Sequence, residues 1–269
     1  FRSNRISALG FYQMNIGRQQ ALNIASALGQ MQHKSIKKVA FLQNIISEEG
    51  FGDICGELSS LSQIENFDLW GSNIGRNGCE TLGNMLSSWH APNLRQLDLQ
   101  DSSIDDRGLQ ALIAGMINCC NLEIVALSGN RSITAAGLRS LSTLFQSRSC
   151  ALEELVLYRM NIGNDGATAL ADGLVGNKSL KHLIFDVDSS GITEIGWSAF
   201  SKLLCDTSSI NNTYLSNHTL ENIGDPGFPE IVKAYLGWNT LSNKHDVAIW
   251  KIIRHHREFD IETFFPWKL

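Results

Sequence analysis

Two pairs of adjacent residues have the greatest potential for chemistry in this sequence. Cys119 stands next to Cys120, and His255 stands next to His256. Thiolate and imidazole groups bind metal ions, but a zinc site needs further ligands at a characteristic spacing, and the sequence has none beside these pairs. Adjacent residues on a helix also point roughly 100° apart, so two neighbouring histidines cannot chelate one ion. We therefore expect no metal site and a structural role for both pairs.

The sequence motifs of the common enzyme classes are also absent. There is no glycine-rich phosphate-binding loop, no His-Glu-x-x-His metalloprotease motif, no Gly-x-Ser-x-Gly nucleophile motif and no kinase signature. None of the seven histidines stands in a known motif with a nucleophile or a carboxylate. The sequence therefore predicts a protein that is not an enzyme and needs no cofactor.

Composition and charge narrow the classes of partner. A net charge of -5, with no cluster of Lys and Arg, disfavours nucleic acid, because phosphate binding needs a basic face. The chain is 43% hydrophobic, yet no apolar run approaches the roughly 18 residues of a membrane span, so we expect no membrane partner. The chain begins with Phe1 rather than Met, so we expect the natural protein to have residues before it.

The cysteines bear on the cellular compartment. They show neither paired Cys-x-x-Cys spacing nor the compact pattern of a secreted framework, and no signal peptide pattern is present. We therefore predict a cytoplasmic protein, with the nucleus as the alternative, in which six reduced thiols are buried. These are Cys55, Cys79, Cys119, Cys120, Cys150 and Cys205.

An internal repeat organises most of the chain. The pattern apolar-x-x-apolar-x-apolar recurs at intervals that alternate between 30 and 28 residues. Apolar residues at every second position predict a short strand with one buried face at the start of each unit. The eight predicted units start at Ile6, Ile36, Ile64, Leu94, Leu122, Leu152, Leu180 and Ile210.

A helix is predicted to follow each strand. In the unit that starts at Ile64, apolar side chains recur at helical spacing from Cys79 to Leu86 and line one side of a helix. A glycine precedes or opens this segment in most units, for example Gly108, and predicts a turn with unusual backbone angles. One strand and one helix per unit predict an α/β solenoid, in which a parallel sheet lines the concave face and the helices form the convex face.

These repeats resemble the leucine-rich repeats of the ribonuclease-inhibitor type, which also occur in NOD-like receptors and Ran GTPase-activating proteins. The resemblance rests on the strand pattern, the alternation of lengths and the Asn-Ile-Gly turns at residues 15–17, 73–75 and 161–163. It covers about residues 1–224. The family often has Asn or Cys at the ninth position of a unit, where this chain also has Met, Ser, Asp and His. We therefore expect part of that role to fall to Asn15, Asn73 and Asn161.

The pattern ends at residue 224, and residues 225–269 are predicted to form a helical C-terminal cap and tail. One helix begins with Pro229 at its first position. A second runs from about Asp246 to His256, and the tail offers further apolar side chains. The prediction places Val247, Trp250 and Ile253 inward, Lys251 and Arg254 outward, and in the tail Phe259, Ile261, Phe264, Phe265 and Trp267.

The absence of catalytic motifs directs attention to the concave sheet. Strand side chains alternate between faces, so the residues between and after the framework positions point away from the core. Aromatic anchors ringed by polar groups are typical of protein interfaces, although these rings could instead only pack on their sheet neighbours. The predicted contact residues are Trp70, Asp68, Asp98, Gln100, Asp101, Tyr158, Arg159 and Tyr12.

The sequence therefore predicts a protein-protein interaction module that binds its partner on the concave face. The acidic residues around Trp70 favour a partner with a basic surface. One alternative is a regulator of a small GTPase, which the resemblance to Ran GTPase-activating proteins suggests, although those relatives usually end in an acidic tail that this chain lacks. The other alternative is a structural scaffold built by stacking of repeats.

Overall fold

The computed structural model describes residues 6–30, 35–89, 91–224 and 227–257. His90 and the predicted tail residues from Phe259 to Trp267 lie outside the described residues. Within the described part, short strands alternate with helices along the chain. The strands are β1 (Ala8–Tyr12), β2 (Asn15–Ile16), β3 (Lys38–Leu42), β4 (Ile45–Ile46), β5 (Asn66–Asp68), β6 (Gln96–Asp98), β7 (Ile124–Ala126), β8 (Glu154–Val156), β9 (His182–Ile184) and β10 (Asn222–Ile223).

The helices of the described part follow the strands of the successive units. They are α1 (Arg18–Gln30), α2 (Glu48–Leu58), α3 (Gly75–Trp89), α4 (Asp106–Met116), α5 (Ala135–Phe145), α6 (Gly163–Gly173), α7 (Glu194–Leu204), α8 (Ile210–Leu215), α9 (Glu230–Asn239) and α10 (Lys244–His255). None of these helices is long and apolar enough to cross a bilayer.

A parallel sheet forms one layer of the solenoid and the helices form the other. Over the described residues, eight strands pair in parallel in the order β1-β3-β5-β6-β7-β8-β9-β10. Their central side chains, such as Phe67, Leu97 and Leu155, are buried between the sheet and the helices. Each of α1 to α6 packs on the next helix in sequence. The α/β leucine-rich repeat solenoid that the sequence predicts is therefore confirmed.

The predicted start of the eighth unit at Ile210 is wrong. Ile210 opens the short helix α8, whose N-cap Ser209 accepts a hydrogen bond from the backbone N–H of Asn212. The last strand of the sheet is β10, where Asn222 pairs with His182 and Ile223 with Leu183. The apolar pattern of a strand therefore restarts at Leu220, and α8 is an insertion before it. The boundary between repeats and cap at residue 224 stays a prediction.

The glycines near the helix starts have a different role from the predicted one. Gly108 and Gly137 lie in the first turns of α4 and α5 and not in the left-handed backbone region. A Cβ atom at Gly108 would lie 3.1 Å from Cys79 Sγ, and one at Gly137 would collide with the Asp106 carboxylate. These glycines allow each helix to approach the preceding repeat closely.

The ninth position of the unit keeps its role in the turn. Asn130 is buried and its Oδ1 accepts hydrogen bonds of 3.0 Å from the backbone N–H groups of Ser102 and Ile104. The shorter Ser102 donates from Oγ to the carbonyl of Leu69 at 3.0 Å. Serine therefore donates to the carbonyl equivalent to that of Leu99, to which Asn130 donates at 2.8 Å. The expected shift of this role is wrong, because the residues expected to take it over are exposed. These are Asn15, Asn73 and Asn161.

The C-terminal helices cover the last repeat with a different face of α10 from the predicted one. Val247 is buried as predicted, and Arg254 is exposed as predicted, but Trp250 is 63% exposed and Lys251 is fully buried. Ile253 is also exposed. The helix is rotated because it lies over α8, which the sequence did not reveal, and because carbonyl groups beneath it need a donor.

Lys251 supplies that donor. Its Nζ atom donates to the carbonyl of Leu204 at 2.7 Å and to Oδ1 of Asn239 at 2.8 Å. His218 Nδ1 lies 3.1 Å away, and His218 Nε2 lies 3.1 Å from the carbonyl of Tyr214, so the ring donates from Nε2 and accepts at Nδ1. Burial lowers the pKa of Lys251 to about 7, and burial together with the charge of Lys251 lowers the pKa of His218 to about 4. The cap is therefore fixed by a buried and titratable amine.

Candidate protein-binding surface on the concave sheet

Because strand residues alternate between faces, three positions of each repeat point to the concave face, and each position forms one row of side chains across the sheet. The row at the carboxyl ends of the strands carries the large aromatic residues, and the pairing of Tyr12 with Leu42 fixes its register. Backbone hydrogen bonds continue this register beyond the strand ends, from Gly71 to Gln100 and from Gly129 to Tyr158. The row comprises Tyr12, Leu42, Trp70, Gln100, Ser128, Tyr158 and Asp186.

Trp70 lies on this face with its indole held in place. Its side chain is 39% exposed, and Nε1 donates a hydrogen bond to Asp101 Oδ2 at 3.2 Å. The same carboxylate oxygen accepts a hydrogen bond of 2.6 Å from the Arg159 guanidinium. Trp70, Asp101 and Arg159 therefore form a connected row of side chains, which we call the Trp70 row.

A glycine makes the Trp70 row possible. Asp101 and Arg159 have φ values of 50° and 58°, and Gly129 occupies the equivalent position in the repeat between them with a φ of 75°. A Cβ atom at Gly129 would collide with the Asp101 carboxylate. The empty space above Gly129 thus lets Arg159 reach across one repeat, a distance of about 10 Å between strands that are two apart.

The remaining acidic residues lie next to the Trp70 row. Asp68 pairs with Asp98 on the neighbouring strand, and Asp98 accepts hydrogen bonds from the backbone N–H and the side chain of Gln100. Burial raises the pKa of Asp68, and the nearby charge of Asp98 raises it further. Lys38 Nζ lies 3.8 Å from Asp68 and compensates part of this charge.

The structure thus brings together six of the eight predicted contact residues and separates two. Five of them lie on or just after the adjacent strands β5 and β6, and Arg159 reaches them from two repeats further along. The five are Asp68, Trp70, Asp98, Gln100 and Asp101. Tyr12 is 60% exposed but lies two strands from Trp70, on the edge strand β1. Tyr158 lies three strands from Trp70 on the other side, where its backbone N–H donates to Ser128 Oγ. Both tyrosines flank the Trp70 row.

Two cations compensate part of the acidic charge around Trp70. Arg159 lies within the patch and forms an ion pair with Asp101, while Lys38 faces Asp68 from the neighbouring strand. The sequence carried a signal for the first of these contacts. Asp101 and Arg159 occupy the same position in repeats that are 58 residues apart, and the repeat between them has glycine there.

Comparison with known proteins supports the assignment of the repeat. A family model described as "Leucine Rich repeat" matches residues 90–112 and 118–142. Ribonuclease inhibitor of Sus scrofa is 26% identical over 216 residues, which cover 80% of this chain and 45% of that protein. NACHT, LRR and PYD domains-containing protein 5 of Mus musculus is 28% identical over 166 residues, 62% of this chain and 14% of that protein.

The chain spans less than half the length of these curated relatives. Among solved structures, the tropomodulin C-terminal domain of Caenorhabditis elegans is 13% identical with a TM-score of 0.45, and the match covers 67% of this chain and 99% of that one. The periodic strands, the parallel sheet and the curated relatives agree on one assignment. The chain has the leucine-rich repeat fold, and its repeats are similar to those of ribonuclease-inhibitor-type proteins.

Proposed function

We propose that this chain is a non-enzymatic protein-interaction module that binds its partner on the concave sheet, centred on the Trp70 row. Leucine-rich repeat proteins generally mediate protein-protein interactions, and relatives of the ribonuclease-inhibitor type are typically binding proteins rather than enzymes. The name of the Sus scrofa relative describes an inhibitor of another protein. These relatives support a binding role, and the geometry of the concave face supports its location.

The observation that carries the location is the fixed orientation of Trp70. A tryptophan supplies a large contact area with few rotatable bonds, and tryptophan is enriched among the residues that dominate binding energy. Here the indole is already held by Asp101, which is itself held by Arg159. Little side-chain entropy remains to be lost when a partner covers the ring, and that loss is a main cost of binding.

The charge of the concave face favours a partner with a basic surface. Among the outward-facing strand positions and the position that follows the row of Tyr12, Trp70 and Tyr158, five carboxylates stand against two cations, Lys38 and Arg159. An excess of negative charge attracts a basic protein and repels the phosphate backbone of nucleic acid. The carboxylates are Asp68, Asp98, Asp101, Glu154 and Asp186. We expect the affinity to fall as the salt concentration rises.

The proposal is tested by capture with matched variants. The wild type, Trp70→Ala and Arg139→Ala are immobilised at equal density and exposed to extract from the native cells, and retained proteins are identified by mass spectrometry. Arg139 is exposed on α5, on the convex side, and serves as the control. Candidate partners are then titrated against each variant at two salt concentrations.

We expect the wild type and Arg139→Ala to retain the same partner and Trp70→Ala to lose about 2 kcal/mol or more of binding free energy. The melting temperature of Trp70→Ala should stay close to that of the wild type, because the ring lies outside the core. Equal affinity of all three proteins for every partner would remove the concave site. Equal losses from both variants would indicate general destabilisation instead of a local contact.

A further inference from the structure

The outer face of the C-terminal helices carries a groove with an unusual mixture of side chains. The groove encloses about 480 Å3 and is lined by apolar residues and two arginines. Its lining residues are Trp238, Leu241, Trp250, Ile253, Arg254 and Arg257. We call it the cap groove.

The cap groove lies on the side of α10 that faces away from the repeats. Val247, Lys251 and Ile252 are buried against the solenoid, whereas Trp250 and Ile253 are 63% and 41% exposed. Leu241, in the turn between α9 and α10, is 50% exposed. Large apolar side chains are costly to leave in water, at about 25 cal/mol for each Å2, so this cluster indicates a surface that another segment covers.

The arginines give the cap groove a positive rim. Arg254 lies 5.4 Å from the ring centre of Trp238, where the face of the indole attracts the guanidinium. Arg257 completes the rim at the end of the described chain. Among the described residues, none of those that line the groove is acidic. The groove therefore suits a segment that alternates apolar and acidic side chains.

The residues that follow Arg257 have this composition. The sequence from Glu258 reads E-F-D-I-E-T-F-F-P-W-K-L, so acidic residues alternate with apolar ones and aromatic residues follow. The acidic residues are Glu258, Asp260 and Glu262, and the apolar ones are Phe259, Ile261, Phe264, Phe265 and Trp267. The segment therefore matches the cap groove in both charge and hydrophobicity.

The covalent connection also favours this segment over a free ligand. Arg257 borders the groove, so the segment starts at the site that it would occupy. Its twelve residues could extend about 40 Å, which exceeds what a local contact needs. A short connection raises the effective concentration of the segment to the millimolar range, so even modest contacts would keep it bound.

From these observations we propose that residues 258–269 fold back and dock in the cap groove, with Trp238 and Trp250 contacting the aromatic side chains and the two arginines pairing with the acidic ones. The segment then covers the outer face of the cap. The proposal is independent of the partner site on the concave sheet.

Photo-cross-linking of the full chain tests the proposal. p-Benzoyl-phenylalanine replaces Phe264, the protein is irradiated at low concentration, and the cross-linked peptides are identified by mass spectrometry. We expect cross-links within one chain to Leu241, Trp250 or Ile253. Cross-links to the last repeat or to the concave sheet would overturn the proposal, as would the absence of any cross-link to the groove. Cross-links between chains that increase with concentration would assign the groove to a second copy.

Two sets of variants make the result specific. Trp250→Asp should reduce the groove cross-links several-fold, whereas Ile195→Asp, an equally exposed change on α7, should leave them unchanged. The second set does not depend on the folding of Trp250→Asp and reverses the charges of the two groove arginines. Arg254→Glu with Arg257→Glu should reduce the cross-links, and added Asp260→Arg and Glu262→Arg should restore them. Failure of the second pair to restore them would contradict the assigned pairing.

Discussion

Asp101 and Arg159 lie 58 positions apart in the sequence, yet their side chains form an ion pair of 2.6 Å across the repeat that separates them. Both side chains are substantially exposed, so the pair contributes at most about 1 kcal/mol to stability. The main effect of the ion pair is to fix the conformation of the neighbouring side chains. Asp101 is fixed where it accepts the indole N–H of Trp70, and three repeats are coupled at one surface.

Gly129 is the residue on which this arrangement depends. Gly129→Ala should reduce the free energy of unfolding by about 1 to 2 kcal/mol, because the residue has a positive φ and its new Cβ atom would collide with Asp101. Displacement of Asp101 should also release the Trp70 indole. Urea unfolding measures the first effect, and the NMR signal of the Trp70 indole N–H in protein with isotope-labelled tryptophan measures the second.

Gly52→Ala is the matched control for this change. Gly52 lies inside α2 with open space around it and an ordinary backbone conformation, so alanine there should stabilise the helix by about 0.5 to 1 kcal/mol. An unchanged Trp70 indole signal in Gly129→Ala would show that the glycine does not control the Trp70 row.

Asp106, the first residue of α4, connects this helix to α5 because its side chain caps the N-terminus of α5. Its Oδ1 atom accepts hydrogen bonds from the backbone N–H groups of Thr134 at 2.7 Å and Gly137 at 3.0 Å, at the start of α5. Asp106→Ala should therefore cost about 1 to 2 kcal/mol, the usual effect of removing an N-cap side chain. Glu80→Ala, at an exposed position of α3, should change the urea midpoint very little. Similar losses in both variants would rule out the capping role.

The adjacent thiols Cys119 and Cys120 should react very differently. Cys119 is buried, and burial raises its pKa to about 12, whereas Cys120 is exposed. The expectation from the sequence that all six cysteines are buried is therefore wrong for Cys120, and Cys150 is only half-buried. A water-soluble thiol reagent should label Cys120 first and Cys79 only after unfolding, as followed by mass spectrometry. Comparable labelling rates at Cys79 and Cys120 in native protein would contradict this burial.

The repeat fold was predictable because its signal is periodic. Buried residues such as Leu97 and Leu155 recur at fixed positions, so each unit confirms the others. The insertion α8 could not be predicted, because Ile210 and Thr213 happen to continue the expected spacing of about 30 residues. Which side of α10 is buried depends on this insertion, so Lys251 and Trp250 were assigned to the wrong sides.

The candidate site was predictable in position but not in its contacts. Strand alternation placed Trp70, Asp68 and Asp98 on one face without any knowledge of the fold in three dimensions. The link from Asp101 to Arg159 depends on backbone angles at the strand ends and on the missing side chain of Gly129. Such contacts between non-neighbouring repeats follow from geometry that spacing alone does not contain.

Lys251 should make stability depend on pH in a defined direction. Burial lowers its pKa to about 7 in the folded protein, from 10.5 ordinarily, so above pH 7 the unfolded chain binds more protons at this residue than the folded one. The free energy of unfolding should therefore rise with pH from about 7 to about 8.5, by at most about 1.4 kcal/mol per pH unit. Above that range, buried thiols with raised pKa values act in the opposite direction, because the unfolded chain loses their protons first.

Urea unfolding at several pH values between about 6.5 and 8.5 measures this slope in the wild type, Lys251→Met and Lys233→Met. Lys251→Met should lose stability, because the carbonyl of Leu204 and the side chain of Asn239 lose their donor, and it should also lose the slope. Lys233 is exposed on α9, so Lys233→Met should keep the slope of the wild type. The slope separates the titration of Lys251 from its packing, since a purely structural role lowers stability equally at every pH. A wild-type slope that persists in Lys251→Met would assign the titration to another group.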